Sequence, residues 1–395
     1  MNISDLKKEI ENLKEWLIDV RRDFHEHPEL GTQEVRTHKK ICEYLDEMGI
    51  EHRTLFGTGV VADILGDNPE FTIAFRGDID ALPIEDIKNQ PYSSKEKGRC
   101  HACGHDAHTT IVLGIAKYFT ENKIKPPCNL RLIFQPAEET VGGAKPMIEE
   151  GALDKVDTIY GLHVDETLNT GFIGIRYGAM NASSDTLEIE IEGESCHGAY
   201  PSRGVDAIVI AAQVILAIQS IISRGIDARD SAVITLGTIN GGTQGNIIAN
   251  SVRLTGTIRT LSPDVRKIVK EKIKKIVNTL PESLGGRGII KITTGYTALV
   301  NHDKAVDVIK KSAMELLGDK NIYEKPLANM GVEDFAYFVE NTSGAFFTLG
   351  IRNKDKKIEA QAHNGNFDID EDALVIGVLM QILNIYNTDY HKVNL

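Results

Sequence analysis

Three imidazoles, a thiol and a carboxylate fall within eight residues, His101-Ala-Cys-Gly-His-Asp-Ala-His108. Cys103 and His105 straddle a glycine, so the backbone can turn tightly and aim both side chains at one point. Thiolate and imidazole are borderline-soft donors suited to zinc and similar ions. Taken singly, a His or Cys is as often core or surface as ligand; the cluster shifts that balance. Glu138 and Glu139 follow an apolar run and the turn Gln135-Pro136-Ala137, and adjacent carboxylates repel unless a cation or proton is supplied nearby. Neighbouring side chains point different ways, so one glutamate can bind a metal while the other takes a proton from the water on it. His163, after Thr158-Ile-Tyr-Gly-Leu162, reads as a strand end, and His363 reads as a loop residue just ahead of a helix. A bound metal brings the pKa of water towards ~7 and polarises a carbonyl, the two effects amide hydrolysis requires. Asp80 is placed to orient a ligand histidine from behind, whereas Asp78 reads nearly as well as a plain turn residue.

Such residues need rigid supports. Leu6, Ile10, Leu13, Leu17, Val20 and Phe24 recur at helical spacing behind Ser4 as N-cap, which predicts one long amphipathic helix ending near Pro28. Residues 71–75 and 130–134 read as buried strands running into polar turns, with helices over 109–120 and 144–150. Strands alternating with helices imply an α/β sheet with the chemistry at its strand ends. From 185 to about 293 the pattern becomes strand (187–191), helix (204–224), two strands (232–238, 251–259), helix (263–279) and strand (288–292). That β-α-β-β-α-β order describes a small inserted domain. The expected division is therefore 1–184 and 295–395 as one discontinuous catalytic domain and 185–294 as the insert, which returns His363 to the residues of the first half. The apolar stretch 207–218 reads as too short to cross a membrane, with core packing as one use and a subunit interface as the other.

Composition narrows the classes. With 395 residues, 42% hydrophobic and 26% charged, the chain reads as globular. A formal net charge of -13 opposes contact with nucleic acid or anionic lipid. The amino terminus is charged where a secretory signal is apolar, which predicts a cytoplasmic protein. Five cysteines, an odd number without regular spacing, fit a reduced compartment.

The runs RRDFHEHPELG, RGDIDALPIED, GRCHACGHDAH, FQPAEE, GLHV, HGAYPSRGVDA, GGTQGNIIANSVRLTGTIRT, MGVEDFAYF and AHNGNFD occur in order from about Arg21 to the last helix. Together they resemble the aminoacylase/carboxypeptidase G metallopeptidase family. Within it they are most similar to bacterial N-acyl-amino-acid amidohydrolases, to hippurate hydrolases and to plant auxin-conjugate hydrolases. The resemblance implies a zinc-peptidase-like catalytic domain with a mixed sheet flanked by helices, and a ferredoxin-like insert serving as lid and dimerisation domain. It implies two divalent ions held by Cys103, His105, Glu139, His163 and His363, with Glu138 as general base and later proton donor. Better-known relatives bridge the ions with a carboxylate where this branch has a cysteine in its set. The thiolate favours zinc, cobalt or nickel over manganese, although manganese is described for related enzymes. His197 would steady the tetrahedral oxyanion, from its own or a neighbouring subunit. Asn246 and Arg259 would hold the substrate carboxylate. His25, His27, His101, His108 and Glu333 are given structural or supporting duties.

The expectation is thus a metal-dependent amidohydrolase acting on N-acyl amino acids without an acyl-enzyme, and a homodimer or homotetramer formed through the insert. Two rivals stand beside it. A cysteine-nucleophile amidase using Cys103, with His105 as base, leaves Glu138, Glu139, His163 and His363 without a shared purpose. A non-catalytic N-acyl amino acid or peptide-binding protein with a closed structural zinc leaves Glu138 idle.

Overall fold

A computed structural model describes residues 2–390, so His391 lies outside the described residues. The chain divides into two compact units. The first comprises the chain up to Gly178, Val300–Leu327 and the chain from Asp334; the second comprises Ala179–Leu299 and Ala328–Glu333. The divisions fall at 178/179 and 299/300 rather than at 184/185 and 294/295. The second unit also gains a short late segment, because the Ala182 amide donates to the carbonyls of Asn329 (3.0 Å) and Gly331 (3.1 Å).

The first unit is built on an eight-stranded mixed sheet. In spatial order the strands are His52–Leu55, Gly59–Ile64, Cys128–Gln135, Asn68–Asp78, Thr158–Asn169, Ser343–Arg352, Ile173–Ile175 and Ile322–Glu324. At its centre Asn68–Asp78 runs parallel to both neighbours, with Ile73 opposite Leu130 on one side and Thr158 on the other, and Thr158–Asn169 runs parallel to Ser343–Arg352. Residues 71–78 are all buried, as a central parallel strand covered on both faces requires. Helices Lys14–Glu26, His105–Glu121 and Asp372–Asn387 pack closely. A methyl group on Gly114 would stand 2.6 Å from Val378 Cγ2 and 2.9 Å from Leu17 Cδ2, so only glycine fits there.

The single N-terminal helix expected from the periodicity is two, Ile3–Glu11 and Lys14–Glu26, and its cap is Asn2, whose side chain accepts from the Ser4 amide. The Leu13 amide bonds to the Ile10 carbonyl (2.9 Å), a tighter i to i-3 turn. That turn keeps Leu13 buried with Leu6, Ile10, Leu17, Val20 and Phe24, so the apolar spacing runs through the interruption.

The second unit has four strands in the spatial order Arg287–Thr294, Ser183–Glu192, Ser251–Thr260, Ala232–Gly241, all antiparallel, with helices Ala207–Ser220 and Pro263–Ser283. Chain order and spatial order together make it the ferredoxin-like β-α-β-β-α-β arrangement. Leu187, Ile189 and Ile191 point inward and alternate with Glu188, Glu190 and Glu192. The helix read over 204–224 begins at Ala207, and its apolar character extends past residue 218. It continues as a π-helical turn over Ile221–Gly225, so Ala207–Gly225 is, by length and composition alone, enough to cross a membrane. Ala207, Ile210, Ala211, Val214, Ile218 and Ile221 are nevertheless buried in this unit's core, while Val209 and Leu216 face outward, 52% and 72% exposed.

Candidate metal centre

All the first-unit residues proposed for chemistry sit at one end of its sheet. Gly104 takes a left-handed φ of 85° and opens helix His105–Glu121, and a Cβ there would lie 2.4 Å from Val164 Cγ2. This turn puts Cys103 and His105 side by side. The strand carrying His163 does not end there but runs on to Asn169. Its neighbour Asn68–Asp78 pairs with it only as far as Arg76 opposite Gly161, so strand pairing on that side stops short of His163, which is half-buried. Glu138 and Glu139 follow the strand Cys128–Gln135 through Ala137, whose φ is 58°. His363 also has a left-handed backbone, φ 60°, its amide bonded to the Ala102 carbonyl (2.8 Å). The helix expected just after it starts only at Asp372. Left-handed non-glycine residues carry backbone strain and gather at functional turns.

Cys103 Sγ is 3.3 Å from His163 Nε2, His363 Nε2 is 3.1 Å from Glu139 Oε1, and His105 Nε2 is 3.9 Å from the same oxygen. Ligand atoms of Cys103, His105 and His163 lie within 4.8 Å of one another, as do those of Cys103, Glu139 and His363, and those of His105, Glu138 and Glu139. Among the described residues, His105 Nε2 and Glu139 Oε1 are buried without a well-directed hydrogen bond, their charged neighbours being Asp78 Oδ2 at 3.5 Å and His363 Nε2 at 3.1 Å respectively. Buried polar atoms held only by poorly directed contacts are costly, and a cation between the two would satisfy both. The donor set, three imidazoles, a thiol and two carboxylates, exceeds the four ligands of a closed structural zinc site.

The donors are held from behind. Asp80 Oδ1 stands 3.2 Å from His105 Nδ1, and its other oxygen accepts from the Glu139 amide at 3.0 Å. His163 Nδ1 donates to the Val164 carbonyl (2.7 Å), which leaves the lone pair of Nε2 facing Cys103. Burial pushes the Cys103 thiol well above its usual range, so its thiolate needs a cation beside it. Burial also opposes charge on His105, but Asp78 and the bonds to Asp80 and Cys103 outweigh it and raise the pKa. For Glu139, burial is overcome by His363 and by the charge of His105, and the pKa is drawn down to about 2.

Beneath these lies a polar layer that the sequence did not reveal. His108 donates from Nδ1 to Asp78 (2.6 Å) and accepts the Val164 amide on Nε2 (2.9 Å); burial lowers its pKa to about 4, so it is neutral. Asp78 is thus far more than a turn residue. Arg76, Gln135 and Asp334 complete the layer, and the available signal was an arginine and a glutamine at the ends of apolar strands. Elsewhere, Arg21 pairs with Asp106 (2.8 Å) and Asp368 (2.9 Å), and His25 with Asp106 (2.7 Å). His25, Asp86 and Cys100 are close enough to hold a metal, but Lys88 Nζ, 3.2 Å from Asp86 and 3.8 Å from Cys100 Sγ, already places a cation there. His101 is buried with neither ring nitrogen bonded, and burial lowers its pKa to about 3. His27 bonds to the Asp23 carbonyl.

His197, Asn246 and Arg259 belong to the second unit, as does Glu333. His197 and Asn246 are neighbours: the Gly198 amide bonds to the Asn246 carbonyl (2.8 Å), and His197 pairs with Ile247. Arg259 lies on the strand Ser251–Thr260, with Nη1 buried and unbonded.

A sequence model described as Peptidase family M20/M25/M40 matches residues 74–384. The N-acetyl-L-cysteine deacetylase of Bacillus subtilis is 38% identical, over 95% of this chain and 87% of its own length. The N-acetyldiaminopimelate deacetylase of Priestia megaterium is also 38% identical, over 89% and 94%. A crystal structure of a Bacillus subtilis protein described as a dinuclear metal binding peptidase of the M20 family superposes with a TM-score of 0.83 at 32% identity, covering 95% of this chain and 98% of that one.

Proposed function

The chain belongs to peptidase family M20/M25/M40, in its amidohydrolase branch, and on that premise we propose that it hydrolyses the amide of N-acyl amino acids to a carboxylate and a free amino acid. The observation that carries this reading is the convergence of Cys103, His105, Glu139, His163 and His363, with Glu138 alongside, in overlapping groups whose ligand atoms lie within 4.8 Å of one another. The deacetylase names of two relatives support the substrate class.

Cys103, His105, Glu139, His163 and His363 would hold two divalent cations, and the thiolate favours zinc, cobalt or nickel over manganese. When bound, the cations would acidify water and polarise the acyl carbonyl. Glu138 takes the proton from the attacking water and passes it to the departing amino-acid nitrogen. His197 accepts the Ala199 amide on Nδ1 (3.1 Å), so its neutral ring keeps the proton on Nε2, the form that can donate to an oxyanion. The unbonded guanidinium nitrogen of Arg259, with Asn246, suits a substrate carboxylate. For assembly, the partner we propose is a second copy of the chain. The edge strand Ala232–Gly241, with Val233 41% and Ile239 56% exposed, would pair with its own copy beside the outward face of the apolar helix.

The test is a Glu138→Ala variant assayed on a panel of N-acyl amino acids, with bound metal measured on the same samples. It should keep its metal and its unfolding temperature and lose at least ~100-fold in turnover; equal turnover removes the assignment. Chelation should abolish wild-type activity and added metal restore it, an outcome a Cys103 nucleophile does not predict.

A further inference from the structure

We infer that Arg76, on the central strand, is a positioning residue that fixes the Glu138 turn relative to the proposed metal ligands; this rests on the function proposed above. Arg76 is 1% exposed and spends its guanidinium in three directions. Nη1 donates to Asp78 Oδ2 (2.7 Å), Nη2 to Asp334 Oδ1 (2.8 Å) and Nε to Gln135 Oε1 (2.9 Å). Asp78, Gln135 and Asp334 are themselves fully buried.

Each of these partners holds a different part of the site. On one side the second oxygen of Asp78 takes His108 Nδ1, and His108 Nε2 takes the amide of Val164, the residue after His163. Asp78 Oδ2 also lies 3.5 Å from His105 Nε2. On the other side the second oxygen of Asp334 accepts from Gln135 Nε2 (2.7 Å) and from the Ala144 amide (3.0 Å), and the Asp334 amide reaches Glu138 Oε1 at 3.4 Å. Gln135 is the last residue of the strand that turns into Glu138, so its side chain fixes where that turn begins. A continuous set of directional bonds therefore runs from the strand of His163, through His108, Asp78, Arg76 and Asp334, to the carboxylate of Glu138.

Only a planar fork can serve these three acceptors at once. A lysine supplies the charge but neither the spread nor the fixed angles. Arg76→Met would leave two buried carboxylates without their cation and risks misfolding, so the informative change is Arg76→Lys. The charge is kept, and with it the fold and the metal; the direction of Glu138 is lost. Because a misplacement of about 1 Å at a reacting group can cost on the order of 100-fold in rate, kcat should fall ~10–100-fold while KM stays within about threefold. A merely structural role would instead lower the folded fraction and the metal content together.

The experiment compares wild type, Arg76→Lys and Glu138→Ala for bound metal, unfolding temperature, kcat and KM. It adds crystal structures of wild type and Arg76→Lys without substrate. The expected result is full metal occupancy, reduced kcat, and a Glu138 carboxylate moved by about 1 Å relative to His105. An unmoved Glu138, or a kcat equal to wild type or reduced only in proportion to lost metal, overturns the inference. The structures decide it even if no panel substrate is turned over. Should Arg76→Lys not fold, Gln135→Met removes one arm and leaves both ion pairs. A several-fold kcat loss at full metal occupancy, with Glu138 displaced, then supports the inference, and an unchanged variant overturns it. Glu138→Ala separates the two readings. If it is inactive while Arg76→Lys is intact, only this inference falls; if it is as active as wild type, the base assignment falls.

Discussion

Cys103 gives this candidate site its character, because it puts one soft donor among hard and borderline ones at a point shared by two of the groups that could hold a metal. Replacing it by aspartate should move the preference from zinc towards manganese, measured as metal retained after equilibration with an equimolar mixture of the two; an unchanged ratio would mean that sulfur does not choose the ion. Asp80 touches His105 and the Glu139 amide without being a proposed ligand. Asp80→Ala should therefore weaken metal binding ~10–100-fold, read by titration with a chromogenic chelator. At this scale the sequence is legible where residue type is itself the signal: Cys103, His105, Glu138, Glu139, His163 and His363 stand out as rare donors near turns. Arg76 and Asp334 do not, since their partnership joins positions 258 residues apart and leaves no local pattern.

Among the elements, the turn through Gly104 matters most. Its left-handed φ and its approach to Val164 both exclude a side chain. Gly104→Ala should cost about 1 kcal/mol from the backbone alone, with more from the clash. Metal binding should fall with stability, since Cys103 and His105 flank it; denaturant unfolding and metal content check both, and a fully stable variant would contradict the geometry. Strands and helices were legible in kind because apolar period reports burial. Their ends were less so. The break at Leu13 is hidden by a turn that preserves the apolar spacing, and His163 looks terminal because its neighbour strand stops, not its own.

For the molecule as a whole, a loss of stability in acid follows from the buried Arg21 cluster. Burial opposes ionisation of Asp368, but Arg21, His25 and the Tyr92 hydroxyl hold its pKa below the usual value. A depressed carboxyl pKa contributes stability above the unfolded value, about 3.9, and that contribution is lost as pH falls through the lower, folded value. Asp368→Asn should accordingly be less stable at neutral pH and lose less on acidification from about pH 5 to 3, as measured by urea unfolding across that range; parallel curves for the two proteins would refute it. For the assembly, Leu216→Glu on the outward face should halve the solution mass measured by light scattering if copies pair there, and an unchanged mass would place the contact elsewhere. The insert itself was readable because its six elements repeat a complete small fold. Its borders were not, since they depend on backbone bonds to Asn329 and Gly331 far along the chain.

The discontinuity of the first unit has a bearing on biosynthesis. Its sheet receives Ser343–Arg352 beside Thr158–Asn169, and His363 comes later still. A nascent polypeptide halted anywhere before that histidine lacks a donor and, if halted before residue 343, a middle strand as well. Prematurely terminated translation products are therefore expected to be unable to sequester cations as the finished chain would, and to expose apolar edges that quality-control proteases can recognise.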